Sequence, residues 1–529
     1  MTILRGESTA PLRRAVFRAL WIASVVSSVG TWMQDVGAAW LMTSLTPSPF
    51  LVTLVQVGSS LPMFLLAVPS GALADILDRR RLLIVTQTWL LAAAAVLGAV
   101  TLSGHVTPLA VLAVTFAMGI GIALNGPAWQ AIIAELVPRE EMPAAVALNS
   151  VGFNIARAVG PALGGLVVAG AGAGAAFLLN ALSFLGTVFV LYRWRRDVPA
   201  SPLPAERLLG AMRGGLRYVR YTPALRTVML RSGGFIVFAI ALMALLPLIA
   251  RHELGRGPTG YGVLLGALGV GAVTAASVLA PLRRRFHLEQ ITRVGTVVFA
   301  LCCLVVAHSR IFALDCVAMW LAGVCWLTML SLFYVVAQGA VAGWVRARGL
   351  AVYLLVFSGG MAVGSAIWGA LASRIGTPWS LSTAAVGLLV TLPALARLRL
   401  PDVAGLDLSP TKFSPAPRID TPLDRGPVMV TVRYAIAAAD RRAFAAVMRD
   451  IERLRRRDGA IGWSLYEDAE DAETFVEVFL VDSWVEHLRQ HERPTQSDVA
   501  IRERVRALHR GSDPPKVAHY LALGRTVED

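Results

Sequence analysis

The amino-acid sequence predicts an all-α polytopic membrane protein with twelve transmembrane helices, followed by a small soluble α+β domain. Long apolar runs alternate with short loops from residue 17 to about residue 399, and a helix needs about 20 apolar residues to cross a bilayer. The hydrophobic fraction of 56% and the mean hydropathy of +0.62 exceed those of a soluble protein. Beyond residue 427, shorter strand-like and helix-like patterns replace the apolar runs.

The predicted spans divide into two halves of six helices. A long basic connection between the sixth and seventh spans separates residues 1–200 from residues 201–400, and each part holds one half. Gln130–Gly165 and Gln338–Gly369 both run from a Gln through a short basic loop into a Gly-rich helix, which indicates a duplication. Duplicated halves are typical of transporters that bind their substrate between the halves. The spans lie at 17–43, 50–74, 82–103, 108–136, 144–170, 173–194, 225–250, 259–282, 290–308, 311–336, 347–373 and 377–399.

Basic residues are concentrated in every second loop. Residues 1–400 hold 30 Lys+Arg against 12 Asp+Glu, and loops such as Arg79–Arg81 and Arg283–Arg285 alternate with loops that carry few positive charges. Because positive loops stay in the cytoplasm, we predict a multi-pass protein in the lipid bilayer of the plasma (inner) membrane, with both termini cytoplasmic. The same pattern accounts for the sequence pI of about 10.5, so we expect no nucleic acid as a partner.

The tail is predicted to be a separate cytoplasmic domain. Residues 401–427 are rich in Pro, Asp and Ser and form a predicted linker. Residues 428–529 then alternate strand-like runs with amphipathic helices, which predicts an α+β domain. We expect this domain to form a homodimer through its sheet. His487 and His491 are four residues apart on one predicted helix, but no third ligand accompanies them, so we predict no metal site.

The loop after the second span, Gly71–Arg81, reads GALADILDRRR. It resembles the cytoplasmic loop signature of the major facilitator superfamily. Asp78 departs from that signature, where a Gly is usual, and Ile76 stands where a basic residue is common. The alternative interpretation is a plain positively charged loop.

The loop residues suggest a conformational latch that does not touch substrate. Gly71 would let two helix ends approach closely, and Asp75 would accept charge-assisted hydrogen bonds at a helix end. Arg79 and Arg80 would anchor the loop on the cytoplasmic side.

The fifth span carries Gly160-Pro161-Ala-Leu-Gly164-Gly165. This run resembles the G-P-x-x-G-G motif that is associated with antiporters of the superfamily, which are exporters. The proline removes one backbone hydrogen bond and the glycines permit close helix packing, so the helix can bend. Gly-rich packing without any meaning for transport direction is the alternative.

The resemblance extends to one branch of the superfamily. Thr31–Gln34, Ala39–Leu41 and Asn149–Gly165 resemble the secretion-effector or enterobactin-exporter-like branch over about residues 10–400. The tail, with its pattern and with Trp463, Trp484 and His487, resembles small ferredoxin-like domains of the antibiotic-biosynthesis monooxygenase type. The resemblance implies export of a small hydrophobic or siderophore-like molecule. Two alternatives remain open: a catalytically active monooxygenase domain fused to a transporter, and an importer or facilitator.

The sequence contains no nucleotide-binding loop of the G-x-x-x-x-G-K-[ST] type. We therefore predict secondary transport driven by an ion gradient, with protons as the coupling ion and with no cofactor. Charged residues within membrane spans are usually functional, and we predict that Asp35 and Arg157 form a coupled polar pair. Asn149 and Asn154 add polarity to the same half and are further candidates for substrate contact.

Overall fold

The computed structural model describes residues 9–194, 208–401, 407–409, 411, 422, 425–511 and 513–522. In this part of the chain, ten helices are long and apolar enough to cross a membrane. Every predicted span coincides with a helix, while the number of membrane crossings stays a prediction. The helices of residues 9–401 are α1 Ala15–Leu45, α2 Pro49–Ile76, α3 Arg79–Leu102, α4 Pro108–Leu136, α5 Met142–Arg193, α6 Leu208–Tyr221, α7 Pro223–Leu248, α8 Pro258–Arg285, α9 Leu288–His308, α10 Phe312–Gly339, α11 Arg346–Ile375 and α12 Thr377–Ala394.

Helix α5 contains the fifth and sixth predicted spans, which a single residue separates. Gly172 has a φ of +82° and is not helical, whereas the residues on both sides are. Glycine reaches this left-handed conformation without the steric cost that a Cβ imposes. The predicted loop between these two spans is therefore reduced to a kink at Gly172.

Residues with short polar side chains cap the first turns of several helices. Ser48, Asp78 and Thr107 precede α2, α3 and α4, and each side chain accepts a hydrogen bond from a backbone N–H of the first turn, at 3.5, 2.8 and 3.2 Å. Helices α2 and α4 also have proline as their first residue. Such caps satisfy backbone N–H groups that have no partner within the helix.

Each half has its own apolar core. In the C-terminal half, the rings of Phe235, Phe299, Trp326 and Phe333 lie 5.5–6.2 Å apart. In the N-terminal half, side chains of α1 to α5 form a cluster near the end of the helices that carries Arg79–Arg81; we call this the Arg-rich end and the opposite end the Arg-poor end. The buried members of the cluster are Leu20, Ala74, Leu82, Leu83, Ala128, Ile132 and Leu191.

The chain divides into two compact units. One unit holds α1 to α5 and most of α7 to α12. The other holds α6 with the first residues of α7 up to Met229, the segment Tyr334–Tyr353, and the tail from Leu400. The sequence predicted the tail as a separate domain but contained no sign that α6 and Tyr334–Tyr353 would pack with it.

The tail forms the predicted α+β domain. Its strands form an antiparallel sheet in the order β2-β3-β1-β4, which is the ferredoxin-like arrangement. Helix α13 packs Phe444 and Met448 against buried residues of β1 and β3. The elements of the domain are β1 Val428–Ala435, α13 Arg441–Asp458, β2 Ala460–Glu467, β3 Thr474–Val481, α14 Trp484–Glu492, α15 Gln496–Leu508 and β4 Lys516–Leu521.

Candidate functional site

The two halves meet where α5 packs directly on α8. A Cβ added at Gly165 would lie 2.6 Å from the carbonyl oxygen of Pro258, and one at Gly262 would lie 2.6 Å from that of Pro161. Further along, a Cβ at Gly269 would lie 2.6 Å from the carbonyl oxygen of Arg157. The two backbones are therefore in contact, which only glycine permits. This contact runs from the Arg-poor end toward the middle of both helices.

The other glycines of the G-P-x-x-G-G motif face a different helix. A Cβ at Gly160 would lie 2.6 Å from Cβ of Trp32, and one at Gly164 would lie 2.8 Å from Cα of Met33. Gly160 and Gly164 thus allow α5 to approach α1 within the N-terminal half. The motif consequently serves two close contacts, one within its half through Gly160 and Gly164 and one between the halves through Gly165.

A second contact between the halves joins α2 to α11. Gly369 of α11 leaves no room for a Cβ because Thr53 of α2 lies against it. The backbone N–H of Phe50 donates to Oγ of Ser373 at 3.2 Å. Nearer the middle of the bundle, a Cβ at Gly359 would lie 2.8 Å from the ring of Phe64. Both the α2–α11 and the α5–α8 contacts include residues near the Arg-poor ends of their helices, Phe50 in the first and Pro258 in the second.

Polar and aromatic groups connect the halves at the Arg-poor end. Arg251 donates to Oγ1 of Thr43 at 3.0 Å and to Oγ of Ser44 at 2.6 Å. Its guanidinium also lies 5.5 Å from the ring of Trp40, and this ring stacks on Tyr261 at 6.2 Å. A cation over an aromatic face is an attractive arrangement. In the sequence, Arg251 was only one of few basic residues in a loop on the less positive side.

The predicted pair of Asp35 and Arg157 is not formed in this conformation. Asp35 lies in the second half of α1, toward the Arg-poor end, and Arg157 lies near the middle of the first part of α5. Arg157 is only 7% exposed, and its Nε has no hydrogen-bond partner among the described residues. Within the same residues, no ion pair joins it to Asp35. Their coupling in transport stays a prediction.

The two predicted asparagines make local contacts. Asn149 accepts a hydrogen bond from Nε1 of Trp129 at 3.4 Å, which connects α5 to α4. Asn154 donates to the carbonyl oxygen of Ser150 in the preceding turn at 2.9 Å. The side-chain amide of Asn154 thus finds its partner within its own helix. The position of both residues in the substrate path stays a prediction.

A buried polar cluster of the N-terminal half was not predicted as a unit. Nδ2 of Asn180 donates to Oε1 of Gln34 at 2.6 Å, and both side chains are at most 3% exposed. Nε2 of Gln34 also contacts Sδ of Met118. The cluster joins α1, α4 and the second part of α5. Each polar residue was visible in the sequence, but residues 146 positions apart gave no sign of their contact.

The Gly71–Arg81 loop connects four helices at the Arg-rich end. Asp78 caps α3, and Arg79 forms an ion pair with Glu135 of α4 at 2.8 Å. Arg80 donates to the carbonyl oxygens of Leu191 and Tyr192 at the end of α5, at 2.8 and 2.7 Å. A guanidinium there satisfies carbonyls that have no partner in the helix. These bonds fit the predicted anchoring role of Arg79 and Arg80.

The contacts predicted for Gly71 and Asp75 of that loop are not seen. No described atom would lie within 4 Å of a Cβ at Gly71, so the close helix approach predicted there is not present in this conformation. Asp75 lies in the last turn of α2, and its side chain is outside the described residues. Its role as a hydrogen-bond acceptor stays a prediction.

In the C-terminal half, a buried arginine organises the Arg-rich end. Arg231 of α7 is 8% exposed and binds both carboxylate oxygens of Glu289 at 2.7 and 2.9 Å. It also donates to the carbonyl oxygen of Leu398, just beyond α12, at 3.2 Å. The sequence indicated only that Arg231 ends the basic connection between the halves.

The fold is that of a major facilitator transporter. It resembles a bacterial homolog of the human lysosomal transporter Spinster, in an inward-facing and occupied conformation, with a TM-score of 0.61, 15% identity and coverage of 74% of this chain and 98% of that chain. The nucleoside transporter NupG gives a TM-score of 0.54 at 13% identity and covers 73% and 99% of the two chains. At these identities the resemblance shows the fold alone.

The chain belongs to the transmembrane secretion effector family of this superfamily, whose sequence model matches residues 6–527. It is 23% identical over 299 residues to the staphyloferrin A transporter of Staphylococcus aureus (56% of this chain, 75% of that protein). It is 25% identical over 380 residues to the enterobactin exporter EntS of Shigella flexneri (71% and 89%), and 27% identical over 288 residues to the multidrug efflux pump Tap of Mycolicibacterium fortuitum (51% and 68%). The predicted branch is thereby confirmed.

Proposed function

We propose that the protein is a secondary active transporter that exports a small hydrophobic or siderophore-like molecule by proton antiport. Membership of the secretion effector family carries this proposal. The names of its relatives describe transport of staphyloferrin A, export of enterobactin and efflux of several drugs. The lack of a nucleotide-binding loop in the sequence supports an ion gradient as the energy source.

The contacts between the halves are consistent with alternating access. Helices α5 and α8 touch through glycines, and α2 and α11 touch through Gly359 and Gly369. Exchange between inward and outward states in such folds is largely a rigid-body movement of one half against the other. In this proposal, the contacts of Gly165 with Pro258 and Gly262 open when the site is exposed on the Arg-poor side.

Transport is tested in inside-out vesicles that contain the full-length protein. After a proton gradient is established, a catecholate siderophore, a carboxylate siderophore or ethidium is added, and the loss of the gradient is followed with a pH-sensitive dye. An exporting antiporter consumes the gradient with at least one of these compounds. Compound-dependent uptake into intact cells with no effect in inside-out vesicles would instead identify an importer.

The coupling role of Asp35 is tested by Asp35→Asn in the same vesicles. This variant is expected to lose proton-driven export but to keep substrate exchange, because an amide cannot carry the proton. Glu141→Gln is the matched control, since Glu141 is a carboxylate of the same half that pairs with Arg14 at 3.0 Å near the Arg-rich end. Wild-type export by Asp35→Asn under a pH gradient would exclude Asp35 as the coupling residue.

The Gly71–Arg81 loop is proposed to control conformational change rather than substrate binding. Asp75→Asn is then expected to slow transport with little change in the equilibrium Kd of the substrate. The opposite result, a weakened Kd with normal turnover, would place this loop in the binding site.

The cytoplasmic location of both termini and a homodimer through the tail are also part of the proposal. The Arg-rich loops support the first, and the sheet of the tail supports the second, because Ile461, Tyr466 and Tyr520 are at least 50% exposed on its strands. A C-terminal reporter that is active only outside the cytoplasm would contradict this topology. Cross-linking of cysteines placed at Tyr466 and Tyr520 tests the dimer.

A further inference from the structure

Within its own compact unit, the tail packs against α6 and against the segment Tyr334–Tyr353, which links α10 to α11. Neither the antiporter motif nor the contacts between the halves use this surface. We call the side chains that meet there the docking surface: Arg217 and Tyr218 of α6, Trp344 of the linking segment, and Arg457, Glu486 and Arg493 of the tail.

Tyr218 lies at the centre of the docking surface. It is 1% exposed, and its hydroxyl accepts a hydrogen bond from the backbone N–H of Ala342 at 3.1 Å. The same hydroxyl donates to the carbonyl oxygen of Ala340 at 3.5 Å. Its ring meets that of Trp344 edge-on, with the ring centroids 5.6 Å apart. Tyr218 therefore fixes α6 to the segment that links α10 to α11.

Two guanidinium groups of the tail cover this aromatic pair. That of Arg457 lies 5.6 Å from the ring centroid of Tyr218, and that of Arg493 lies 4.5 Å from the ring centroid of Trp344. Both arginines are at most 7% exposed. A desolvated cation over an aromatic face is strongly attracted, and Tyr, Trp and Arg are the residues that contribute most to specific interfaces. The docking surface thus has the composition of a specific protein–protein contact.

A carboxylate of the tail connects the two sides. Glu486 of α14 binds Arg493 at 2.6 Å and Arg217 of α6 at 3.3 Å. Burial opposes ionisation of Glu486, but the hydrogen bond and the charge of Arg493, together with the charge of Arg217, outweigh it and lower the pKa of this carboxyl. The tail is therefore held to α6 by an ion pair that is partly shielded from solvent.

The docking surface also contains groups that weaken it. The Nε1 of Trp344 and the Nε of Arg217 are buried and have no hydrogen-bond partner among the described residues. A desolvated donor without an acceptor opposes the contact that buries it. Water hydrates both donors when the two sides separate, so docking of the tail is reversible.

The docked segment begins the helix whose other end closes the molecule. A Cβ at Gly215 of α6 would lie 2.9 Å from Cβ of Arg348, in the first turn of α11. About 30 Å along the same helix, Gly369 touches Thr53 of α2 in the other half. Helix α6, in contrast, belongs to the connection between the halves. Because α11 is one helix of 30 residues, a tilt that separates Gly369 from Thr53 displaces its first turns relative to α6.

We propose that the tail, through the docking surface, holds the first turns of α11 and shifts the conformational equilibrium toward the state that is closed at the Arg-poor end. This inference rests on the exchange between two states that the proposed function requires. A bound domain shifts such an equilibrium only if it binds one state more strongly than the other. The displacement of α11 relative to α6 provides this difference. The competing interpretation is a passive brace that binds both states equally.

The equilibrium is measured without any substrate, in the full-length protein in lipid nanodiscs. Thr53 is 0% exposed and lies against Gly369, so a cysteine at this position reacts only when the Arg-poor end is open. Thr53→Cys is introduced after the four native cysteines have been replaced by alanine. The rate of alkylation by dilute N-ethylmaleimide then reports the population of the open state.

Variants on the membrane side of the docking surface release the tail. Trp344→Ala removes the cation–π contact with Arg493 and the ring contact with Tyr218, and alkylation should become about tenfold faster. Arg217→Met removes one partner of Glu486 and should give an increase of about threefold.

Arg220→Met is the matched control and should leave the rate of alkylation unchanged. Arg220 is on the same helix but is exposed, and its guanidinium lies over Tyr221, 5.8 Å from the ring centroid. No ion pair joins it to the tail among the described residues.

Hydrogen–deuterium exchange shows whether Trp344→Ala releases a folded tail. Exchange should increase in α6 and α14 but not in β1 and β3. Unchanged exchange in α6 and α14 would contradict the docking surface. Faster exchange in β1 and β3 as well would mean that the tail has unfolded, and Arg217→Met then decides.

Arg251→Met separates failure of this inference from failure of the proposed function. It removes the bonds to Thr43 and Ser44 at the Arg-poor end, so it should accelerate alkylation whatever the tail does. Acceleration by Arg251→Met alone, or slower alkylation in Trp344→Ala, would overturn the role of the tail and leave alternating access intact. No acceleration in any variant would refute both.

Discussion

The two halves of the membrane domain hold the Arg-rich end of their last helix in different ways. In the N-terminal half, Arg80 of the loop after α2 donates to the carbonyl oxygens of Leu191 and Tyr192 at the end of α5. In the C-terminal half, the matching loop residues Arg283–Arg285 are exposed. There, Arg231 from α7 donates to the carbonyl oxygen of Leu398 after α12.

The hydrogen bond from an arginine to a carbonyl oxygen therefore occurs in both halves, although the Gly71–Arg81 loop motif occurs only in the first. Both halves place a guanidinium on carbonyl oxygen at the Arg-rich end of their last helix. In the N-terminal half these carbonyls belong to the end of α5, where such groups need donors. In the C-terminal half the carbonyl belongs to Leu398, beyond the last residue of α12, Ala394. The arginine comes from a loop in one half and from the first helix of the half in the other. The burial also differs, because Arg231 is 8% exposed, whereas Arg80 is only half-buried.

Arg231→Met is expected to have the largest effect. It removes one of two arginine partners of Glu289, which also pairs with Arg293 at 3.0 Å, together with the hydrogen bond to the carbonyl oxygen of Leu398. Losing such charged hydrogen bonds from a buried arginine costs about 2–3 kcal/mol. Thermal unfolding of the purified protein in detergent should show a clear decrease in Tm. Adding Arg293→Met should deepen the loss, because Glu289 then has neither of these arginine partners; no further loss would mean that Arg231 acts through Leu398 alone.

Arg80→Met comes next, with an expected loss of about 1–2 kcal/mol from two charged hydrogen bonds to carbonyls. Hydrogen–deuterium exchange should increase in the last turn of α5 but not at the end of α12. Equal exchange in both places would contradict the view that each half holds its own last helix.

Arg79→Met should cost less, about 0.5–1 kcal/mol, because its pair with Glu135 is partly open to solvent and is screened by salt. The difference in Tm from the wild type should shrink between low and high salt. A loss as large as that of Arg231→Met would show that the two halves rely equally on their ion pairs.

Arg284→Met is expected to have no measurable effect on Tm, since the side chain is exposed and no hydrogen bond or ion pair of Arg284 is found among the described residues. A capping box of His287 and Gln290 already satisfies the start of α9. A decrease in Tm like that of Arg79→Met would show that this loop has an anchoring contact after all.

Local signals in the sequence predicted most of the fold. Each predicted apolar span coincides with a helix, and the alternation of polar and apolar residues placed the α+β domain after residue 427. The G-P-x-x-G-G motif indicated close helix packing at Gly165, although it did not indicate that α8 would be the partner. These features depend on residues close together in the chain.

The rest depends on pairs that are distant in sequence. Arg251 meets Thr43 across 208 positions, and His519 of the last strand meets His487 only after the sheet has formed. A single sequence does not report such pairs. For the same reason, Asp35 and Arg157 each looked functional but their predicted contact is not present in this conformation.

The contact between α5 and α8 has a consequence for the kinetics of the transport cycle. Glycine has no side-chain rotamers, so the two backbones can separate at Gly165 and Gly262 without any rotamer change. The activation barrier for opening is therefore expected to arise at the Arg-poor end, where Arg251 must leave Thr43 and Ser44. The lifetime of this closed state is thus governed by a few polar bonds at its rim, and its temperature dependence should follow the enthalpy of breaking them.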